Sequence, residues 1–225
     1  MPSSPDLIIL GGGGHALVVA EAAALVGMNP LGFLDDSPAA PLATGPGALE
    51  RLGGFADLER ILTSGATGRA AAIIAVGNAA VRRPLITRLR ALRKPCATIV
   101  HPSANVSLSA TLGAGVRIVG DGGSSDGGVF VGPRAVIHTR ARIGDHAIIN
   151  TGTIIEHECE IGENAHIAPG AVLGGRAVVE PDALVGIGAR VMLNIRIGAQ
   201  AVVGCGAVVV RDVPARATVV GVPAR

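Results

Sequence analysis

A chain of 225 residues, 49% of them hydrophobic and 16% charged, carries enough apolar material for one large or two small packed domains and is not a disordered protein. With three Phe and neither Trp nor Tyr, its core has to be built from Ala, Val, Ile and Leu. A formal charge of +2 without long basic runs excludes a nucleic-acid footprint, no apolar run approaches the ~20 residues of a membrane span, and three cysteines without C-x-x-C spacing exclude a disulfide framework or structural zinc. The opening Met1-Pro2-Ser3-Ser4-Pro5-Asp6 lacks the basic and apolar stretches of a secretory signal, so a cytoplasmic protein is expected.

Residues 1–96 read as alternating strands and helices. Leu7-Ile8-Ile9-Leu10 is a short apolar strand, Gly11 to Gly14 a tight turn, and Ala16 to Val26 an Ala-rich helix closed by Gly27. Leu31-Gly32-Phe33-Leu34 gives a second strand ending at Asp35-Asp36, and the Pro-, Ala- and Gly-rich stretch from Asp36 to Gly54 reads as loop. Ala70 to Val76 is a third strand, Gly77-Asn78 a turn and cap, and Ala79 to Leu92 a basic helix in which Pro84 is an awkward member. This order predicts a small parallel sheet of Rossmann type.

From residue 97 to 225 the texture changes to a period of six. Every sixth residue from Val131 to Val209 is aliphatic, fourteen positions without a miss, and four residues after each comes a mostly small one, such as Ala135, Ala141, Ala147, Thr153 or Cys159. Neither a strand nor a helix has this period; a parallel β-helix of triangular coils does, with the aliphatic residue pointing inward on each face. Val100, Val106, Leu112 and Ile118 keep the period, and a phase slip across Gly120 to Gly128 marks a loop extruded from one coil.

The repeat resembles that of the hexapeptide-repeat acyltransferases, whose β-helix is left-handed. The run Gly11-Gly12-Gly13-Gly14-His15, the segment Phe33-Leu34-Asp35-Asp36, Ile155-Glu156-His157-Glu158-Cys159, His166 to Ala171 and the terminal Gly221-Val222-Pro223-Ala224 resemble the sialic acid O-acetyltransferase type branch. That branch includes N-acetyltransferases of nucleotide-linked 4-amino-4,6-dideoxy sugars, such as the bacillosamine-pathway enzyme and GDP-perosamine N-acetyltransferase. The resemblance implies transfer of acetyl from acetyl-CoA to a sugar amine in surface-glycan synthesis, without a metal. O-acetylation of a sugar or of sialic acid is the alternative.

Such chemistry needs a proton acceptor working near neutral pH and donors for the developing oxyanion. By resemblance His157 is the general base and Glu158 its orienting partner. By the same resemblance His166 contacts acetyl-CoA near the thioester, the Gly175 N–H is the oxyanion donor, Gly186, Ile187 and Cys205 line the pantetheine path, and Asn150 faces the sugar. His157 and His166 are half a coil apart and cannot meet within one chain, so a shared site implies a homotrimer with interfacial sites. The head Gly11-x-Gly13-x-x-Ala16 meets a loose dinucleotide fingerprint, but a helix N-terminus accepts any phosphate, including a nucleotide sugar's pyrophosphate. Gly13, Gly14 and His15 are therefore assigned to that substrate, with Asp35 and Asp36 on base or sugar hydroxyls. The rivals are a zinc carbonic-anhydrase-like β-helix that recruits histidines from two chains, and a catalytically dead scaffold. His138 and His146 have no assigned role, and His101 reads as structural.

Overall fold

The computed structural model describes residues 4–65, 67–113 and 127–225. The N-terminal part is an α/β unit: β1 (Asp6–Leu10), α1 (Gly14–Leu25), β2 (Asn29–Leu34), β3 (Arg51–Gly53), α2 (Leu58–Leu62), β4 (Ala71–Ile74) and α3 (Ala79–Ala91). The strands form one parallel sheet in the order β3-β2-β1-β4. Alternation along β1 explains its two buried faces. Leu7 and Ile9 pack with Ala16, Val19 and Ala23 of α1, while Ile8 and Leu10 pack with Leu58, Ile61 and Leu62 of α2 and Leu85, Ile86 and Leu89 of α3. Asn78 caps α3, its side chain accepting from the N–H groups of Ala80 and Val81 at 2.9 and 3.4 Å.

The Asp36–Gly54 stretch is not all loop. It holds a 3-10 turn at Pro41–Ala43 and the edge strand β3, which pairs Arg51 with Phe33 and Gly53 with Leu34. A three-residue edge strand leaves no alternation to read, and Arg51 is tied down by a long-range bond, its Nε donating to the Asp35 carbonyl at 2.8 Å.

Beyond Cys96, which still bridges to Ala72, the chain winds into a left-handed parallel β-helix whose first strand is Ile99–Val100. Two-residue strands stack into three parallel sheets of seven, six and five rungs. Residues eighteen apart are neighbours, as Arg142 and Glu160 are. All fourteen aliphatic residues of the period lie inside, from Val131 at 0% to Val191 at 4% exposure, and the small residues beside them fill the corners. At each corner one residue adopts positive φ, in an unbroken series of every sixth position from Gly128 to Gly206. Left-handed backbone costs a non-glycine residue roughly 1–2 kcal/mol, yet Arg134, Arg140, His146, Glu158 and Arg176 accept it, because the stacked coils on either side fix the turn. Ile118 and most of the Gly120–Gly128 segment lie outside the described residues. Val100 pairs with Val131, and the corresponding pair Ser103 and Arg134 is thirty-one positions apart, so the extra chain enters between the first and second coils. Ala224, only 4% exposed, folds back onto Val208 and plugs the C-terminal end of the core.

The outward residues give each face its own character. The seven-rung face carries Phe130 and Ile148, which join the core between β1 and α1, so the α/β unit sits on this face. The five-rung face is charged, with Arg142 paired to Glu160 and Arg196 to Glu180. The six-rung face presents half-buried Val136, Ile154, Val172 and Val208, with exposed Asn105 and Arg190 among them.

Candidate active site

His157 sits at the corner between the six-rung and five-rung faces. Its side chain is 47% exposed, and Nδ1 faces Glu158 Oε2 at 3.4 Å. The ring lies over Gly175, one coil above: a Cβ built on Gly175 would stand 2.4 Å from His157 Nε2 and 2.6 Å from Cε1. Only glycine leaves room for the imidazole there. The Gly175 N–H has no backbone acceptor among the described residues. A ring nitrogen, its carboxylate and a free amide thus share one edge. Beneath them Cys159 is fully buried, its Sγ donating to the Gly174 carbonyl at 3.2 Å, and desolvation pushes its thiol up to about 11. It is a filler, not a nucleophile.

A second cluster lies at the junction of the α/β unit and the seven-rung face. His166 Nδ1 is 3.0 Å from the Gly77 carbonyl, and its Nε2 is 3.3 Å from Asn150 Nδ2. His15, in the first turn of α1, stacks edge-on to Phe130 with centroids 5.2 Å apart and lies 6.4 Å from the His166 ring. The buried His15 Nε2 has no hydrogen-bond partner among the described residues. Burial first, then the neighbouring His166 ring and after it the positive charge of Arg82, lowers His15 to about 4; burial and Arg82 lower His166 to about 4. Both are neutral at pH 7. A cleft of ≈ 660 Å³ opens beside His166, between the N-terminal turn of α3 and the outward Leu184 and Val202.

Against known proteins, the family model for the PglD N-terminal domain matches residues 6–89, and that for the bacterial transferase hexapeptide (six repeats) matches residues 140–175. A histidine-to-alanine mutant of GDP-perosamine N-acetyltransferase from Caulobacter crescentus, solved with CoA and GDP-perosamine, is 33% identical, with a TM-score of 0.85 over 98% of this chain and 95% of that one. The acetyltransferase domain of PglB from Neisseria gonorrhoeae is 31% identical, with a TM-score of 0.85 over 99% of both chains. Solved in complex with acetyl coenzyme A, that domain gives 30% identity and a TM-score of 0.84. The chain belongs to the hexapeptide-repeat acetyltransferases with a PglD-type N-terminal domain.

In this acetyltransferase the remaining expected site residues fall into two groups. Gly13 and Gly14 are exposed at the start of α1, and a Cβ on either would meet nothing within 4 Å. Asp35 and Asp36 act on the chain itself. Asp35 accepts from the N–H groups of Gly12 at 2.7 Å and Ser37 at 2.8 Å and so ties down the glycine loop, Asp36 accepts from that of Phe55 at 2.8 Å, and each keeps spare lone pairs for a ligand. Gly186, Ile187 and Cys205 line the third corner, where Ile187 is 58% exposed and its carbonyl accepts from Gly206. His157 and His166 occupy different parts of the prism, and no contact joins them among the described residues.

His138 is exposed, while His146 is buried against Gly128. Among the described residues no group of three or more His, Cys, Asp or Glu could hold a metal ion. Nor is any helix among them long and apolar enough to cross a membrane. Sequence reading missed Arg82, which has no exposed surface and ties α3 to the β-helix. The signal was present: Arg82, Leu85, Ile86 and Leu89 share one helical face, so a cation stands in a core position.

Proposed function

We propose that this acetyltransferase moves acetyl from acetyl-CoA to the 4-amino group of a nucleotide-linked 4-amino-4,6-dideoxy sugar, as a cytosolic homotrimer with sites between subunits. The arrangement of His157 Nδ1 on Glu158 with Nε2 lying over Gly175 carries this reading, because it sets a proton acceptor beside an unengaged amide. The amine attacks the thioester carbonyl carbon and its electrons move onto the oxygen, which the Gly175 N–H stabilises. His157 Nε2 takes the proton from nitrogen, Glu158 steadies the imidazolium, and the intermediate collapses by breaking C–S and returning the proton to the departing thiol. No acyl-enzyme is needed, in keeping with the raised pKa of Cys159. His15, Gly13, Gly14 and Asn150 would hold the nucleotide sugar, and Gly186, Ile187 and Cys205 the pantetheine arm. The 33% identity to a GDP-perosamine enzyme supports the substrate class, and the mostly aliphatic six-rung face supports the assembly.

The test is thiol release from acetyl-CoA with a panel of UDP- and GDP-linked 4-amino-4,6-dideoxy sugars, with free sialic acid as the hydroxyl control. Turnover on an amino sugar, lost by at least about a hundredfold in kcat in His157→Ala, is the expected result. Turnover on sialic acid alone would replace the amine acceptor by a hydroxyl, and an unchanged kcat in His157→Ala would remove the base.

A further inference from the structure

Arg82 is the largest fully buried side chain of the described residues, and it touches no carboxylate there. Its Nη1 donates to the carbonyls of Val76 at 3.0 Å and Gly77 at 2.9 Å, its Nε to Asn164 Oδ1 at 2.6 Å and its Nη2 to the Asn164 carbonyl at 2.5 Å. Asn164 Nδ2 in turn donates to Asp182 Oδ1 at 2.6 Å. Burying a cation among neutral acceptors is costly, and an aliphatic residue would pack α3 equally well, so the guanidinium has to do something that packing does not.

The Gly77 carbonyl points to what that is. It receives both Arg82 Nη1 and His166 Nδ1, which fills its two lone pairs. A carbonyl only accepts, so Nδ1 of His166 carries the proton and Nε2 keeps its lone pair, turned to Asn150 Nδ2. We propose that Arg82 is a positioning residue: by holding the Gly77 carbonyl and Asn164 together across the domain junction, it fixes His166 in the Nδ1–H tautomer, so that Nε2 is an acceptor, taken by Asn150 Nδ2 in this structure and given over to an N–H or O–H of a substrate when Asn150 turns to the same substrate. The groups facing His166 are His15 from α1, Arg82 and Arg83 from α3, and Asp182 from the β-helix. Arg83 is spent on Asp182 and Glu163, so Arg82 is the cation that bears on the two rings.

This inference rests on His166 being a site residue, and the experiment separates the two. In protein labelled with 15N-histidine, the ring shifts of His166 should report the Nδ1–H tautomer from pH 5 to 8. Arg82→Met should mix the tautomers and bring titration of His166 into that range, with kcat/KM lower by roughly tenfold. Arg82→Lys keeps the charge but cannot reach four acceptors, so it should restore the neutral ring and not the single tautomer; it carries the test if Arg82→Met fails to fold. In a His166→Gln background the Arg82 change should have little further effect on kcat/KM. An unchanged His166 spectrum in both Arg82 variants, or the same loss with and without His166, overturns the positioning role. Wild-type activity of His166→Gln would instead remove His166 from the site, while the spectra still decide what Arg82 does.

Discussion

Gly175→Ala isolates the geometry of His157 from every other feature of its edge. The variant keeps the backbone N–H proposed to stabilise the oxyanion, and Gly175 has no positive φ that an alanine would strain. What it adds is one methyl group, 2.4 Å from His157 Nε2 where ordinary contact starts at 3.4 Å. The ring therefore has to withdraw by about 1 Å, and a misplacement of that size costs on the order of a hundredfold in rate, or about 2.7 kcal/mol of barrier. Stability should change by less than about 1 kcal/mol, because the half-exposed imidazole can swing into solvent. The assay is steady-state thiol release, with kcat and KM separated, beside a thermal melt. A fall confined to kcat with an unchanged Tm is expected. A kcat within about twofold of wild type would show that the position of His157 over Gly175 does not matter to the chemistry, and the case for it as base would fail with it.

Two more outcomes are open to direct measurement. His15 and His166 bind protons more tightly unfolded, near 6.5, than folded, near 4, so the stability they contribute is complete above pH 6.5 and drains as pH falls toward 4, by up to about 3 kcal/mol each. Tm should be flat above pH 7 and drop below 6.5, with a shallower drop in His15→Asn; a Tm equal at pH 7 and pH 5 would mean that the rings titrate as if exposed. Ile154→Glu adds a second charge to that of Arg190 on the mostly aliphatic face and should convert the proposed trimer to monomers in light scattering while the melt of each β-helix survives. A trimer that persists would move the subunit contact elsewhere.

The β-helix was legible because its signal repeats, fourteen inward aliphatics at one period, while its left hand came from the family resemblance. The outward direction of His157 follows from its place in the repeat, which suggests a flat face where the structure has a corner, and its proposed role comes from the family resemblance. The junction was not legible. His166, Asn150 and His15 lie on three elements, and what brings them together is the docking of the α/β unit through Phe130 and Ile148, outward residues about which a period of six says nothing. Asp35 has a role that spacing alone does not reveal. Its position about twenty residues after the glycines suggests a ligand contact, and in the fold each of its oxygens also accepts one backbone N–H, from Gly12 and from Ser37, with lone pairs left over.

The three faces bear on why the two histidine clusters lie apart. The seven-rung face is occupied by the α/β unit, and the charged ladder of the five-rung face contributes little stability, because exposed pairs such as Arg142–Glu160 are worth at most about 1 kcal/mol. Among the described residues the six-rung face is the one richest in half-buried outward aliphatics, Val136, Ile154, Val172 and Val208, with Arg190 the charged residue among them. It runs from the corner of Ile187 and Cys205 to that of His157, where Met192 and Leu193 add exposed apolar surface. A row of outward aliphatics of this kind, interrupted only by Arg190, is covered most simply by another copy. Copies joined there would bring the His157 edge of one subunit against its neighbour, and that neighbour would supply the half of the site that a single prism keeps on its other side. The same face would then hold the assembly together and complete the catalytic site, so the Ile154→Glu monomer should keep its fold and lose its turnover.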